Sequence, residues 1–219
     1  MIGVLDYGMG NLGSVLNTCR KLEIPAKLIS SPEGMEDLHG ILMPGQGAFR
    51  DCMSHLRDHG FVDPLCAWVA ENRPFFGICM GLQVLFEDSE ESPGVDGLGI
   101  LPGTVRRFKP SDTLKVPQMG WNRVRWTQKQ SFFPEALHDR HFYFVHSYYV
   151  PITNVEGTDV DWAGGITSYG IDYVSAISFG ECHAVQFHPE KSQRDGLALI
   201  RAFADRVNHL QNPQPENPS

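Results

Sequence analysis

Over residues 1–86, short apolar runs alternate with stretches of helical spacing, and this alternation restricts the chain more than any other feature of it. Ile2–Leu5 reads as a buried strand, after which Leu12, Val15, Leu16, Cys19 and Leu22 fall on one helical stripe. Ala26–Ile29 and Gly40–Met43 read as further strands, with helices on either side of residues 58–62 and up to Ala70. Pro74–Ile78 is another buried strand, and a helix through Leu82, Leu85 and Phe86 is expected to follow it. Strands alternating with helices predict an α/β fold with a mostly parallel central sheet covered by helices on both faces.

After about residue 95 the texture changes. Gly, Pro and aromatic residues become frequent, and Trp121–Trp126, Phe142–Val145 and Tyr173–Phe179 read as antiparallel strands of a smaller, mixed sheet. A last helix is expected over Ser192–Leu210, with Ser192 and Asp195 spaced as a capping box. The expected arrangement is one domain over residues 1–209 and a flexible polar, Pro-rich tail over 210–219. At 219 residues the chain can bury roughly 70% of its unfolded surface, so it needs neither disulfide nor metal to fold.

Charge and cysteine usage narrow the function classes. The formal charge is 18 − 26 = −8 with no basic block, which argues against nucleic acid and anionic membrane as partners. No apolar stretch approaches the roughly 20 residues of a membrane span, and the start lacks the basic region of a signal peptide. Five cysteines at irregular spacing, with no C-x-x-C pair, suggest a reduced, cytoplasmic protein whose cysteines are mostly small core residues. His141, His146 and His183 lack metal-ligand spacing and are expected in structural roles, and the acidic run 87–91 is expected to be a solvated loop.

One motif is set aside. Residues 8–13, GMGNLG, match G-x-G-x-x-G after a strand, but the second strand ends in Ser30 without the carboxylate that a ribose requires. A tight strand-to-helix turn accounts for the glycines.

Three other segments carry chemistry. In Pro74–Gln83, an apolar strand ends in Gly77-Ile78-Cys79-Met80-Gly81 and passes at once into a helix, the nucleophile-elbow arrangement with cysteine in place of serine. Cys79 would point into the crevice at the carboxyl end of the sheet, its thiolate favoured by the helix start, with the Met80 amide as an oxyanion donor. A lone G-x-C-x-G also fits a buried structural thiol. In VQFHPE, a strand ends at His188 with Glu190 two residues on, where a carboxylate can orient the imidazole by triad logic. A surface His–Glu pair fits the same letters. In Pro44-Gly45-Gln46-Gly47, a strand runs into a nearly side-chain-free segment whose amides can supply a second oxyanion donor, or form a plain turn.

Taken together and in this order, PGQG, GICMGLQ and HPE resemble the triad (class I) glutamine amidotransferases. MGWN at 119–122, FVHSY at 144–148, the opening LDYGMGN and the extended HPEKS resemble, within that class, the glutaminase subunits of imidazole glycerol phosphate synthases. The resemblance covers residues 1 to about 209. Gln46 and Gln118 depart from it, standing where a small aliphatic residue and His are frequent.

The resemblance implies a flavodoxin-like sheet and a Cys79–His188–Glu190 triad hydrolysing glutamine through a thioester. It implies oxyanion donors near Met80, Gln46 and Gly47, glutamine contacts at Gln83 and Gly45, and no metal or organic cofactor. Ammonia would pass to a (β/α)8-barrel cyclase in a heterodimer for histidine biosynthesis, with Met119, Trp121, Asn122 and Lys191 on the docking face. From residues alone, Trp121 is either core or interface. Two alternatives stand beside this reading: a glutaminase subunit feeding pyridoxal phosphate synthesis or sugar amidation, and a non-catalytic binding subunit.

Overall fold

Alternation of side chains along the apolar runs places the sheet between two cores. In β1 (Ile2–Leu5), Ile2 and Val4 face one core and Leu5 the other. After α1 (Leu12–Lys21) and β2 (Ala26–Ile29), β3 (Gly40–Gly45) repeats the pattern: Leu42 points to the first core, Ile41 and Met43 to the second. α2 (Phe49–Asp58) and α3 (Val62–Ala70) cover the second core through Met53, Leu56, Leu65 and Trp68. β4 (Phe75–Cys79) and the single turn α4 (Met80–Gln83) complete the first half. The computed structural model describes residues 1–112, 114–127, 132–154 and 162–212.

The second half contributes β5 (Phe86–Ser89), β6 (Leu101–Arg107), β7 (Gln118–Trp126), β8 (Arg140–His146), β9 (Tyr148–Tyr149), β10 (Ala163–Tyr169), β11 (Ile171–Phe179) and β12 (Cys182–Val185). α5 (Gln193–Gln211) closes the chain and, with α1, covers the first core through Leu199, Phe203 and Val207. Residues 213–219, most of the expected tail, lie outside the described residues.

The strand order is β2-β1-β3-β4-β12-β11-β10-β7-β8, with β5-β6-β9 forming a second sheet. The pairs from β2 to β12 are parallel, and those from β12 to β8 antiparallel. The antiparallel strands foreseen after residue 95 therefore extend the central sheet, and the smaller sheet is built from β5, β6 and β9 instead. The outer edge of β8 is not open at its middle. Tyr143 accepts from the His188 amide at 2.9 Å, and its own amide donates to the Ser192 hydroxyl at 2.9 Å. The antiparallel half thus curls back onto the segment that follows β12.

Three local expectations are corrected. The helix after Cys79 stops at Gln83 and does not run through Leu85 and Phe86. The carbonyls of residues 84–87 are taken by the amides of Leu98, Leu101, Gly99 and Gly97, which draws the chain into β5. Gly97 permits this, since a Cβ there would sit 2.1 Å from the Phe86 carbonyl oxygen. The acidic run is only partly a loop, since residues 87–89 lie in β5, although Glu87 and Glu90 remain exposed. Glu87, Glu90 and Glu91 accept from the amides of Gly103, Arg107 and Phe49, each at 2.8 Å. Ser192 does not cap α5, because its hydroxyl donates to the His188 carbonyl at 2.6 Å.

Candidate active site

Cys79 stands at the carboxyl end of β4, between the ends of β3 and β12, where an open α/β sheet binds ligands. Its backbone has φ +56°, a conformation that non-glycine residues rarely adopt and that marks the elbow. The flanking glycines follow from contact distances. A Cβ on Gly77 would stand 2.4 Å from the Gly81 carbonyl oxygen, and one on Gly81 2.5 Å from that of Met43. Both oxygens are backbone, one in α4 and one in β3, and neither can give way as a flexible side chain could. Met80 opens α4, so its N–H has no intrahelical acceptor. A one-turn helix carries little macrodipole, however, so the thiolate stabilisation expected from the helix start must come from elsewhere.

The imidazole of His188 faces Cys79, and its Nδ1 lies 2.9 Å from Glu190 Oε1, with the two side chains only 3% and 2% exposed. Burial pulls the ring down, but the Cys79 sulfur and the Glu190 carboxylate outweigh it and hold the imidazole well above its ordinary value. The backbone around it is clamped by Tyr143 and Ser192. Sequence reasoning placed Ser192 at a helix cap and missed this role, although HPEKS was part of the motif.

The Gly45–Gly47 segment runs beside the cysteine, with Gly45 paired to Cys79 and with Gln46 and Gly47 exposed. The turn set aside as a nucleotide motif supports it. Tyr7 donates its hydroxyl to the Pro44 carbonyl at 3.0 Å, and Met9 Cε lies 2.5 Å from where a Gly47 Cβ would be. On the other side, the Glu91 carboxylate accepts from the Phe49 amide and the Ser92 hydroxyl from the Arg50 amide. These bonds satisfy the first amides of α2 from 42 residues away, since Ala48 offers no cap.

A cavity of about 430 Å³ opens over these groups, lined by Gln46, Gly47, Cys79, Met80, Gln83, His188, Glu91 and Lys191 among others. Burial raises the Glu91 carboxyl above its ordinary range. Gln83 Nε2 donates to the Tyr148 carbonyl and to Gln186 Oε1, while Gln83 Oε1 is buried with no partner among the described residues. Gln186 was not foreseen; the only signal was its place in VQFHPE. Of the residues expected at an interface, Met119, Trp121 and Asn122 lie on β7 and Lys191 follows His188; Met119 is 65% and Trp121 47% exposed, so Trp121 is not a core residue. Asn122, between Trp121 and Arg123, is half-buried and donates to the Ser168 carbonyl. Trp121 packs edge-on against Tyr143, the residue that clamps His188.

His146 lines the cavity, whereas His183 is buried beside Ser178. Burial lowers them to about 4 and about 3, so both are neutral in the folded chain. Unfolded imidazoles protonate near 6.5, so the stability these rings supply is complete above that pH. It is lost as pH falls through 6.5, by about 1.4 kcal/mol per pH unit for each ring. His188 works the other way: its contribution is complete below 6.5 and is lost as pH rises through about 10. The urea midpoint is therefore expected to fall between about pH 7 and about pH 5. A level midpoint would mean that the folded rings already carry protons.

Residues 3–207 match the family Glutamine amidotransferase class-I. This chain belongs to the class-I glutamine amidotransferases. It is similar to imidazole glycerol phosphate synthase subunit HisH of Methanothermobacter thermautotrophicus, 42% identical over 94% of this chain and 99% of that one. Subunit HisH 1 of Pseudomonas aeruginosa is likewise 42% identical, over 92% of this chain and 95% of that one. The chloroplastic hisHF protein of Arabidopsis thaliana is 41% identical over 93% of this chain, which spans 34% of that longer protein. At the level of fold, PurLQS from Thermotoga maritima superposes with a TM-score of 0.71 at 14% identity, covering 94% of this chain and 98% of that one. The chain is thus a glutamine amidotransferase of HisH type. Among the described residues all five cysteines are free, and no helix is long and apolar enough to cross a membrane.

Proposed function

We propose that this chain hydrolyses glutamine at Cys79 and delivers the ammonia to a cyclase subunit of imidazole glycerol phosphate synthase, the synthase of which its relatives are named as subunits. The observation that carries the reading is the His188–Glu190 pair, buried and joined at 2.9 Å, facing a cysteine held at an elbow. Cys79 Sγ attacks the side-chain carbonyl carbon, and the oxyanion rests on the amides of Met80 and the Gln46–Gly47 segment. His188 then gives its proton to the leaving nitrogen, the C–N bond breaks, and ammonia departs. Water, deprotonated by His188, attacks the thioester, releasing glutamate and restoring the thiol. None of these steps calls for a metal or organic cofactor.

The cavity suits an amino acid. Glu91 can accept from an α-ammonium, Gly45 lets β3 pack against Met80 where a Cβ would clash, and Lys191 offers a cation at the rim. Met119 and Trp121 form an exposed apolar pair one residue from the His188 clamp, which supports a docking face beside the site that releases ammonia. We assign residues 1–209 to the amidotransferase unit and a cytoplasmic setting to the heterodimer. Glutamine hydrolysis by the chain alone, and then with the cyclase and its bound nucleotide, tests this. Near silence alone and a large rise in the complex is expected. Brisk hydrolysis by the free chain would overturn the coupling and reopen the choice of partner.

A further inference from the structure

The sulfur of Cys79 is buried, and the helix behind it is a single turn, so its negative charge needs a donor close by. Gln186, fully buried just beyond β12, supplies one: its Nε2 lies 3.6 Å from Cys79 Sγ. Which end of this amide faces the sulfur is decided by a backbone carbonyl. The Tyr148 oxygen can only accept, so the group that Gln83 turns towards it at 3.2 Å is its NH2. The same NH2 donates to Gln186 Oε1 at 2.9 Å, which turns the Gln186 oxygen away from the sulfur and its NH2 towards it. Reversing Gln186 would set two NH2 groups against each other. The main-chain end is fixed as well, the Gln186 amide donating to the Ser175 carbonyl at 2.8 Å.

We propose that Gln186 is a further catalytic residue, donating a hydrogen bond to the Cys79 thiolate in a direction set by Gln83 and the Tyr148 carbonyl. The proposal rests on Cys79 being the nucleophile. The bond is strong while the sulfur carries charge, in the free thiolate and again as the sulfur leaves when the thioester is hydrolysed, and weak in the neutral thioester, so it acts by keeping the nucleophile ionised and by easing its departure. The other titratable groups facing the sulfur are His188, Tyr7 and Cys52. Burial raises Tyr7 well above its ordinary value and Cys52 to about 12, so both stay neutral. Glu91 and Lys191 are the charged groups elsewhere in the cavity lining.

The test is iodoacetamide alkylation of Cys79 in the full-length chain, read by peptide mass spectrometry from about pH 5 to about pH 9. Gln186→Met keeps the length and removes the donor, and is expected to move the profile up by about one pH unit. Gln186→Glu replaces the donor with a carboxylate and should move it further. Gln83→Met keeps Gln186 but removes what orients it, so a smaller shift of the same sign is expected, and it serves if Gln186→Met does not fold. Superimposable profiles in folded variants overturn the proposal. In the complex, Gln186→Met should lower glutamine kcat about tenfold with little change in KM. Alkylation needs neither glutamine nor a partner. A wild-type complex that fails to hydrolyse glutamine would therefore sink the functional reading while leaving this comparison to be decided separately.

Discussion

Replacing Cys79 by Ala is expected to abolish glutamine-dependent synthesis by the complex, a loss on the order of 10⁴-fold or more, while ammonia-dependent synthesis continues. The asymmetry follows from the position of the sulfur. Cys79 sits on the elbow with 6% of its surface exposed, its side chain turned into the cavity and towards Gln186 and His188. Truncation to Ala removes one atom from that wall and leaves β4, its glycines and its pairing to β3 and β12 in place. The face carrying Met119 and Trp121 belongs to β7, on the antiparallel half of the sheet, and is untouched by the change. Added ammonia bypasses the thioester, so the acceptor reaction should run at close to its normal rate. The measurement is product formation with glutamine and, separately, with an ammonium salt. Loss of both activities would show that the cysteine is needed for folding or docking rather than for hydrolysis.

Glu190→Gln is expected to slow glutamine turnover by roughly three to four orders of magnitude with KM little changed. Glu190 Oε1 accepts from His188 Nδ1, which leaves Nε2 free to take and return the proton exchanged with sulfur and leaving group. An amide in the same place can present its NH2 to Nδ1, and the ring then carries its proton on the nitrogen that faces the sulfur. It can no longer act as a base. The carboxylate also helps to hold the imidazole above its ordinary value, so the variant ring is less able to stay charged beside the thiolate. Because the pair is buried, solvent cannot substitute for the lost charge. Steady-state kinetics in the complex decide the matter: turnover at the wild-type rate would remove Glu190 from the mechanism.

The extent to which the site was legible differs from residue to residue, for physical reasons. Cys79, His188 and Glu190 were readable because each sits in a short segment whose neighbours are constrained by backbone geometry: glycines on both sides of the elbow, and a two-residue step in extended chain. Gln186 and Ser192 were not. Gln186 is defined by an amide 103 residues away and Ser192 by an amide 49 residues away, and neither spacing leaves a local pattern. The acidic run is solvated in part, but Glu87, Glu90 and Glu91 also bond backbone amides 16, 17 and 42 residues away, a pairing that no local pattern announces.

By itself, the sequence determined the strand–helix alternation, the two-sided apolar strands that require cover on both faces, and the identity of the three groups that meet at the active site. These are properties of neighbouring residues, set by periodicity, sterics and side-chain chemistry. Only the tertiary structure decided where the first helical turn after Cys79 ends, because the carbonyls of residues 84–87 were claimed by amides ten or more residues on. It also decided that the antiparallel strands continue the parallel sheet and curl until β8 clamps His188. Register and closure of that kind depend on hydrogen bonds between segments far apart in the chain, which no local pattern encodes.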